Sequence, residues 1–314
     1  PELSQTDGIP DGKWCFINGN NTPRIALVDL GTFRTQSIIE IPNCAGNHSS
    51  PFTTPNSEYV ISGTRFSIPM GTESERDVPI ESYRENFKGT VSFIHPEPES
   101  GKMSIAFQVI TPGMNFDLSH TGKGVSDGWF FFSCYNSEQA YSLLEVNASQ
   151  RDKDFIMAVN WKKAEEYAKA GKGRKVPGRH YSNLYSDETH SATSTVVEEV
   201  LQLDPRELTD LLYFMPCPKS PHGCDVDPTG EYIVGSGKLA ALIPVFSYSK
   251  MKAAIDAKTY DGDFMGIPVL KYESVLHGEV KKPGLGPLHT EFDDKGNAYT
   301  SMFVSSEIVK WNVQ

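Results

Sequence analysis

The 314-residue chain sets 29 Lys and Arg against 40 Asp and Glu, a formal net charge of −11, with 38% hydrophobic and 22% charged residues. That is an ordinary globular composition, and it lacks the clustered positive charge that grips a phosphate backbone, so nucleic acid is not an expected partner. No apolar run approaches the roughly 20 residues that span a bilayer, so no transmembrane segment is expected, and the length suits two domains or one large repeat fold.

One pattern recurs along the chain. A turn with Asp, Asn or Pro, often Gly, leads into an aromatic residue and then into β-branched or small ones. It begins in IPDGKWCFINGN (9–20) and returns in TTPNSEYVISGT (53–64), VSDGWFFFSCYN (125–136), VDPTGEYIVGSG (226–237) and FDDKGNAYTSMF (292–303). The turn residues accommodate positive φ, and the runs after them are strand-like. A second strand follows in NTPRIALVDLGTF (21–33) and SSEIVKWNV (305–313). Turn, strand, short loop, strand is the build of a propeller blade. The expected fold class is therefore all-β, a β-propeller with short helical insertions.

The copies are unevenly spaced, from 9 to 53 at the closest and from 125 to 226 at the widest. Several blades must carry insertions, since regular blades repeat every 40 to 50 residues or so. The charged stretch 71–86 is expected to be an exposed loop. NWKKAEEYAKAGKGRKVPG (160–178) is expected to form a surface helix and loop. In 197–214 a short helix is expected, with Asp204 as N-cap and Pro205 at its first position. DVDPTG (225–230) looks like the start of a calcium loop but has Ser236 where the bidentate Glu belongs, so it is a strand-entry turn.

The five cysteines (Cys15, Cys44, Cys134, Cys217, Cys224) are odd in number and scattered, which is no disulfide framework. Buried free thiols are expected. Cys217 and Cys224 bracket His222 at no common zinc spacing, and a metal or disulfide role for that pair stays open. Three histidines stand out. His48, His222 and His289 each precede one of the turn-plus-strand units. In a propeller, equivalent positions of successive blades converge on the axis, and a ring of imidazoles there suits soft or borderline metal ions. We expect Pro221 to restrict the approach to His222 and Gly223 to permit the turn away from it.

The segments FINGNNTPRIALVDL…IIEIPNCAGNH, SCYNSEQ, KSPHGCDVDPTGEYIVGSGKL and GLGPLHTEFDDKGNAYTSMFVSSEIVKWN resemble nitrous-oxide reductase, and closely its atypical variety. The resemblance spans nearly the whole chain. It implies a seven-bladed β-propeller followed by a cupredoxin domain. It also implies a tetranuclear copper–sulfide centre (CuZ) on seven propeller histidines and a dinuclear copper centre (CuA) in the cupredoxin domain. The implied reaction is two-electron reduction of N2O to N2 and water. His48, His222 and His289 match three CuZ ligands. The family's His-His pair would lie just before Pro1, and its last two ligands and the CuA motif beyond Gln314. The chain is thus expected to be an internal propeller segment, residues 1–314, covering most but not all blades and inactive alone. A structural calcium site is implied on Tyr135, Glu138, the Val146 carbonyl and Asp152, where oxygen ligands suit the ion; Ser220 replaces the family's usual Asn as the fifth ligand. The family further implies a periplasmic location, a cytochrome c or other small electron-transfer protein as donor, and a head-to-tail homodimer. Two other readings stay open: a propeller that only binds proteins, and a calcium-dependent propeller hydrolase.

Overall fold

Apolar alternation in this chain writes out strands. In Arg24–Asp29, Ile25 and Leu27 are fully buried while Arg24 between the turns is exposed, the period of two that a pleated strand imposes. Asp154–Asn160 is apolar almost throughout because it lies between two other strands and is buried along its length. The computed structural model describes residues 2–5, 9–20, 22–49, 51–69, 79–135, 154–180 and 195–314. They form five separate sheets with few helices, and the fold is an all-β propeller type with short helical insertions.

The chain divides into two compact units, Pro1–Phe116 with Lys163–Leu208, and Asp117–Lys162 with Thr209–Gln314. The first unit holds a four-stranded meander, Glu2–Gln5, Pro10–Asn18, Arg24–Asp29 and Arg34–Glu40, each strand antiparallel to the next. A larger sheet runs in the order Arg174–His180, Thr195–Leu203, Lys102–Pro112, Phe87–Glu97, Val60–Gly63, Phe52–Thr53. Phe16, Ile25, Leu27, Ile41, Cys44, Val60 and Ile94 form a core, and each buried side chain of this size contributes about 1.5–3 kcal/mol.

The second unit holds the sheet Asn115–Thr121, Trp129–Tyr135, Asp154–Asn160, Leu212–Cys217, Ile267–Leu270, Tyr260–Phe264. Beside it are two meanders: Pro221–Val226, Tyr232–Gly237, Leu242–Ser247, Leu276–Lys281; and Pro287–Phe292, Asn297–Met302, Glu307–Asn312. Phe131, Ile156, Met215, Ile233, Phe246 and Met251 lie in its main core.

All five turn-plus-strand units expected from sequence contain their strand. Helix Trp161–Lys169 forms where expected, with Trp161 and Ala164 buried, but the loop expected to follow it gives way at Arg174–His180 to a strand paired with Thr195–Leu203. The expected helix after Asp204 does not. Asp204 caps a single turn instead: its side chain accepts the Arg206 N–H at 2.9 Å and its carbonyl the Glu207 and Leu208 N–H groups. Thr209 and the left-handed Asp210 (φ 65) lead straight into the next strand. Of the loop expected over 71–86, residues 71–78 lie outside the described residues, and the rest contains two short helical turns, Ile80–Ser82 and Tyr83–Asn86.

Candidate metal centre

Two of the three singled-out histidines occupy the same local device. Pro221–Val226 pairs with Tyr232–Gly237, and the register slips between Pro221 and Gly223, around His222. Pro287–Phe292 pairs with Asn297–Met302, and the register slips between Pro287 and Thr290, around His289. Such a slip re-aims a side chain relative to the regular ladder. The proline before each His has no N–H to give the ladder, and so tolerates the irregularity.

Gly223 has a different role from the one expected of it. The reversal is made at Ser220, whose φ is 55, while Gly223 lies within the strand. A Cβ on Gly223 would stand 1.8 Å from the carbonyl oxygen of Leu288, far inside any real contact. The bare Cα is what lets these two strands lie against each other. The neighbours of that contact are the two histidines, and their rings come to 5.0 Å between centroids at 78°.

His222 is held from both sides. Its Nδ1 lies 2.6 Å from Oδ2 of Asp117, a carboxylate only 2% exposed. A carboxylate can only accept, so Nδ1 carries a proton, and Nε2 is the nitrogen whose lone pair a neutral ring offers to a metal. The Lys238 ammonium stands 3.7 Å from the same Asp117 oxygen. The Ser133 hydroxyl donates to the His222 carbonyl at 2.5 Å and accepts the Leu118 N–H at 3.0 Å. Further along, Asp225 accepts the Thr290 N–H at 2.7 Å, tying the two histidine strands together. Burial pushes the Asp225 carboxyl up to about 8, against the pull of that bond. His289 is exposed, and its backbone N–H donates to Ser301 Oγ at 3.3 Å.

His48 belongs to the first unit, in the irregular stretch between Arg34–Glu40 and Phe52–Thr53. The Asn18 amide donates to the carbonyls of both Asn47 (2.7 Å) and His48 (3.1 Å). Asn47 is fully buried and accepts from Ser62. Ser49 accepts the Gly63 N–H at 2.7 Å and donates to its carbonyl at 2.9 Å. The residues flanking His48 are therefore fixed without regular secondary structure.

The remaining expected site residues fall elsewhere. Tyr135 ends the strand Trp129–Tyr135; Glu138, Val146 and Asp152 lie outside the described residues. Asp154, which the sequence reading passed over, is 4% exposed and accepts the Ser220 N–H at 2.6 Å. All five cysteines are free and buried, as expected. Burial pushes the thiols of Cys134, Cys217 and Cys224 well up, and that of Cys44 to about 11, which disfavours the thiolate at each of these four. Among the described residues no three His, Cys, Asp or Glu side chains gather around a point that would hold a metal ion. The imidazole pair is chemically suited to a soft or borderline metal. The carboxylate behind His222 is the partner that orients metal-ligating imidazoles. Together they fit part of a multi-histidine centre. Asp117 and Ser133 carry no sequence signal of their own; only the strand pairing reveals them.

No family model matches the chain. Over 322 residues it is 30% identical to the nitrous-oxide reductase of Pseudomonas fluorescens, and over 317 residues 30% identical to that of Stutzerimonas stutzeri. Both alignments take in 100% of this chain and 43% of the relative, so the chain spans less than half of their length. Among solved structures it is similar to the periplasmic gluconolactonase PpgL of Pseudomonas aeruginosa, with a TM-score of 0.52 and 13% identity, covering 96% of this chain and 64% of that one. At that identity the likeness concerns the fold alone.

Proposed function

The chain is homologous along its whole length to a segment of the nitrous-oxide reductases, and on that footing we propose that it carries part of the copper site of such an enzyme. The reaction is N2O + 2 e− + 2 H+ → N2 + H2O. The observation that carries the reading is the His222–His289 pair, set at two matched register slips and backed by buried Asp117. Copper held by these imidazoles supplies a place to bind N2O and deliver two electrons to it.

The chain's own residues do the holding. Asp117 keeps the His222 proton on Nδ1, so Nε2 is the donor atom. Gly223 sets the spacing of the two rings by removing the side chain that would part their strands. Asn18, Ser49 and Ser62 hold the segment carrying His48, the third histidine that the family resemblance assigns to copper. Electron entry through a CuA domain, a small electron-transfer donor, a homodimer, a periplasmic location and calcium on Tyr135, Glu138, Val146 and Asp152 all belong to the same proposal. No described helix is long and apolar enough to cross a membrane.

Copper analysis of the full-length protein tests this reading. His222→Ala should lower copper content and abolish N2O reduction while leaving the protein folded, since an imidazole contributes little apolar burial even at this largely buried position. Full copper loading with wild-type turnover in that variant would end the assignment.

A further inference from the structure

The first unit contains a cavity whose lining residues take no part in the imidazole site. Its volume is about 240 Å3, and its polar lining consists of Lys88, Arg174, Gln202, Asp204, Arg206 and Glu207. Three cations and two carboxylates thus face one space within a chain of net charge −11.

The carboxylates are already engaged. Asp204 is gripped by Arg206, Nε to Oδ1 at 2.9 Å and Nη2 to Oδ2 at 2.5 Å. Glu207 accepts from Nη2 of Arg174. Each guanidinium has five N–H donors in a planar fork, and these pairs use only the Nε and Nη2 edges. Among the described residues Lys88 forms no ion pair with an acid: its ammonium donates to the Arg84 carbonyl at 3.3 Å, and Glu85 and Asp204 act on it only at longer range. Burial first, and then the nearby Arg206 charge, lower its ammonium pKa. The cavity lining therefore holds one more positive charge than negative, with Lys88 the partly dehydrated member.

The walls are built closely. Gly173 has a φ of 95, and a Cβ there would meet the Gln202 carbonyl oxygen at 2.5 Å. This bare backbone brings the start of Arg174–His180 down onto Thr195–Leu203. Gln202 is 4% exposed and donates to Gln108 at 3.1 Å, a fixed polar wall.

We propose that this cavity binds a small oxyanion, a phosphate group free or esterified, between Lys88 and the unused guanidinium edges of Arg174 and Arg206. Planar guanidinium forks match phosphate geometry, and an ammonium adds a point charge. The ligand would relieve the repulsion between Lys88 and Arg206. A cavity of this size also admits the organic part of a small phosphomonoester.

Calorimetric titration of the full-length protein with inorganic phosphate, and separately with glycerol 3-phosphate, tests the site. At low ionic strength one saturable site is expected, with a dissociation constant of about 1 mM or tighter, weakened by added salt. Lys88→Gln and Arg174→Gln should each weaken it by about tenfold, while Lys310→Gln in the other unit leaves it unchanged. Arg174 is 73% exposed in its side chain, so its variant keeps the fold and decides the matter if Lys88→Gln does not fold. Tighter binding of glycerol 3-phosphate supports an esterified ligand, and equal binding a free one. No saturable binding of either, or binding unaffected by Arg174→Gln, overturns the proposal.

Discussion

Replacing Gly223 by Ala probes the contact that brings His222 and His289 together. The added methyl would lie 1.8 Å from the Leu288 carbonyl oxygen and 2.9 Å from its carbon. An ordinary carbon–oxygen contact is about 3.3 Å, so the strands must part by roughly 1.5 Å. The obstacle is backbone on both sides, and no side chain can swing away. Overpacking of this kind costs about 1–3 kcal/mol, occasionally more. The Thr290 N–H to Asp225 bond, 2.7 Å long and two residues along each strand, would be stretched by the same movement. The matched control is Gly278→Ala, where a Cβ meets nothing within 4 Å and the change should stay within about 0.5 kcal/mol. Urea unfolding of the full-length protein reads the stability, and copper content reads the ring spacing. Gly223→Ala should lower both, and Gly278→Ala neither. Wild-type stability and copper in Gly223→Ala would refute the claim that strand approach at Leu288 sets the histidine pair.

Three further outcomes are expected. Asp117→Ala should reduce copper affinity by about 10- to 100-fold, the usual cost of losing the group that orients a ligating imidazole; equilibrium dialysis against a copper chelator measures it. Asn18→Ala removes the donor to two consecutive carbonyls, so it should destabilise the fold by about 1–3 kcal/mol and increase proteolytic cleavage near His48. The third concerns pH. Burial, with the Lys123 charge adding to it, lowers the His120 pKa to about 3, although Nδ1 lies 2.8 Å from the Thr121 carbonyl. The folded protein keeps this ring neutral where the unfolded chain protonates it, near pH 6.5. Its contribution to stability is therefore whole above that pH and is lost as pH falls towards 3, at up to about 1.4 kcal/mol per pH unit. His120→Gln should flatten the acid limb of the stability curve by that slope, as followed by urea midpoints across the range.

Local chemistry wrote the strands and their turns plainly. The Asp-Gly and Asn turns, the aromatic starts and the alternation of Ile25 and Leu27 need only neighbouring residues to take effect. Helix Trp161–Lys169 was legible for the same reason. The stretch after Asp204 was misleading: Asp-Pro is a good helix entry, but only one turn fits before Leu212–Cys217 must join its sheet. The site was half legible. The repeated Pro and His stood out, yet the reason the two rings meet is a backbone contact between Gly223 and Leu288, which no spacing announces. Asp117 lies 105 residues before His222 in NFDLSHT, an ordinary strand, and becomes meaningful only through strand pairing. Parallel pairing of Gln202 and Leu203 with Gln108 and Val109 was equally hidden, because it joins segments with no shared pattern.

Anomalous X-ray diffraction at the copper edge from crystals of the full-length protein tests the central claim most directly. Copper peaks should lie about 2 Å from a ring nitrogen of His289 and from Nε2 of His222, a normal metal–imidazole distance, with Asp117 still bonded to Nδ1 of His222. Copper bound to the protein with both of these rings uncoordinated would contradict the account.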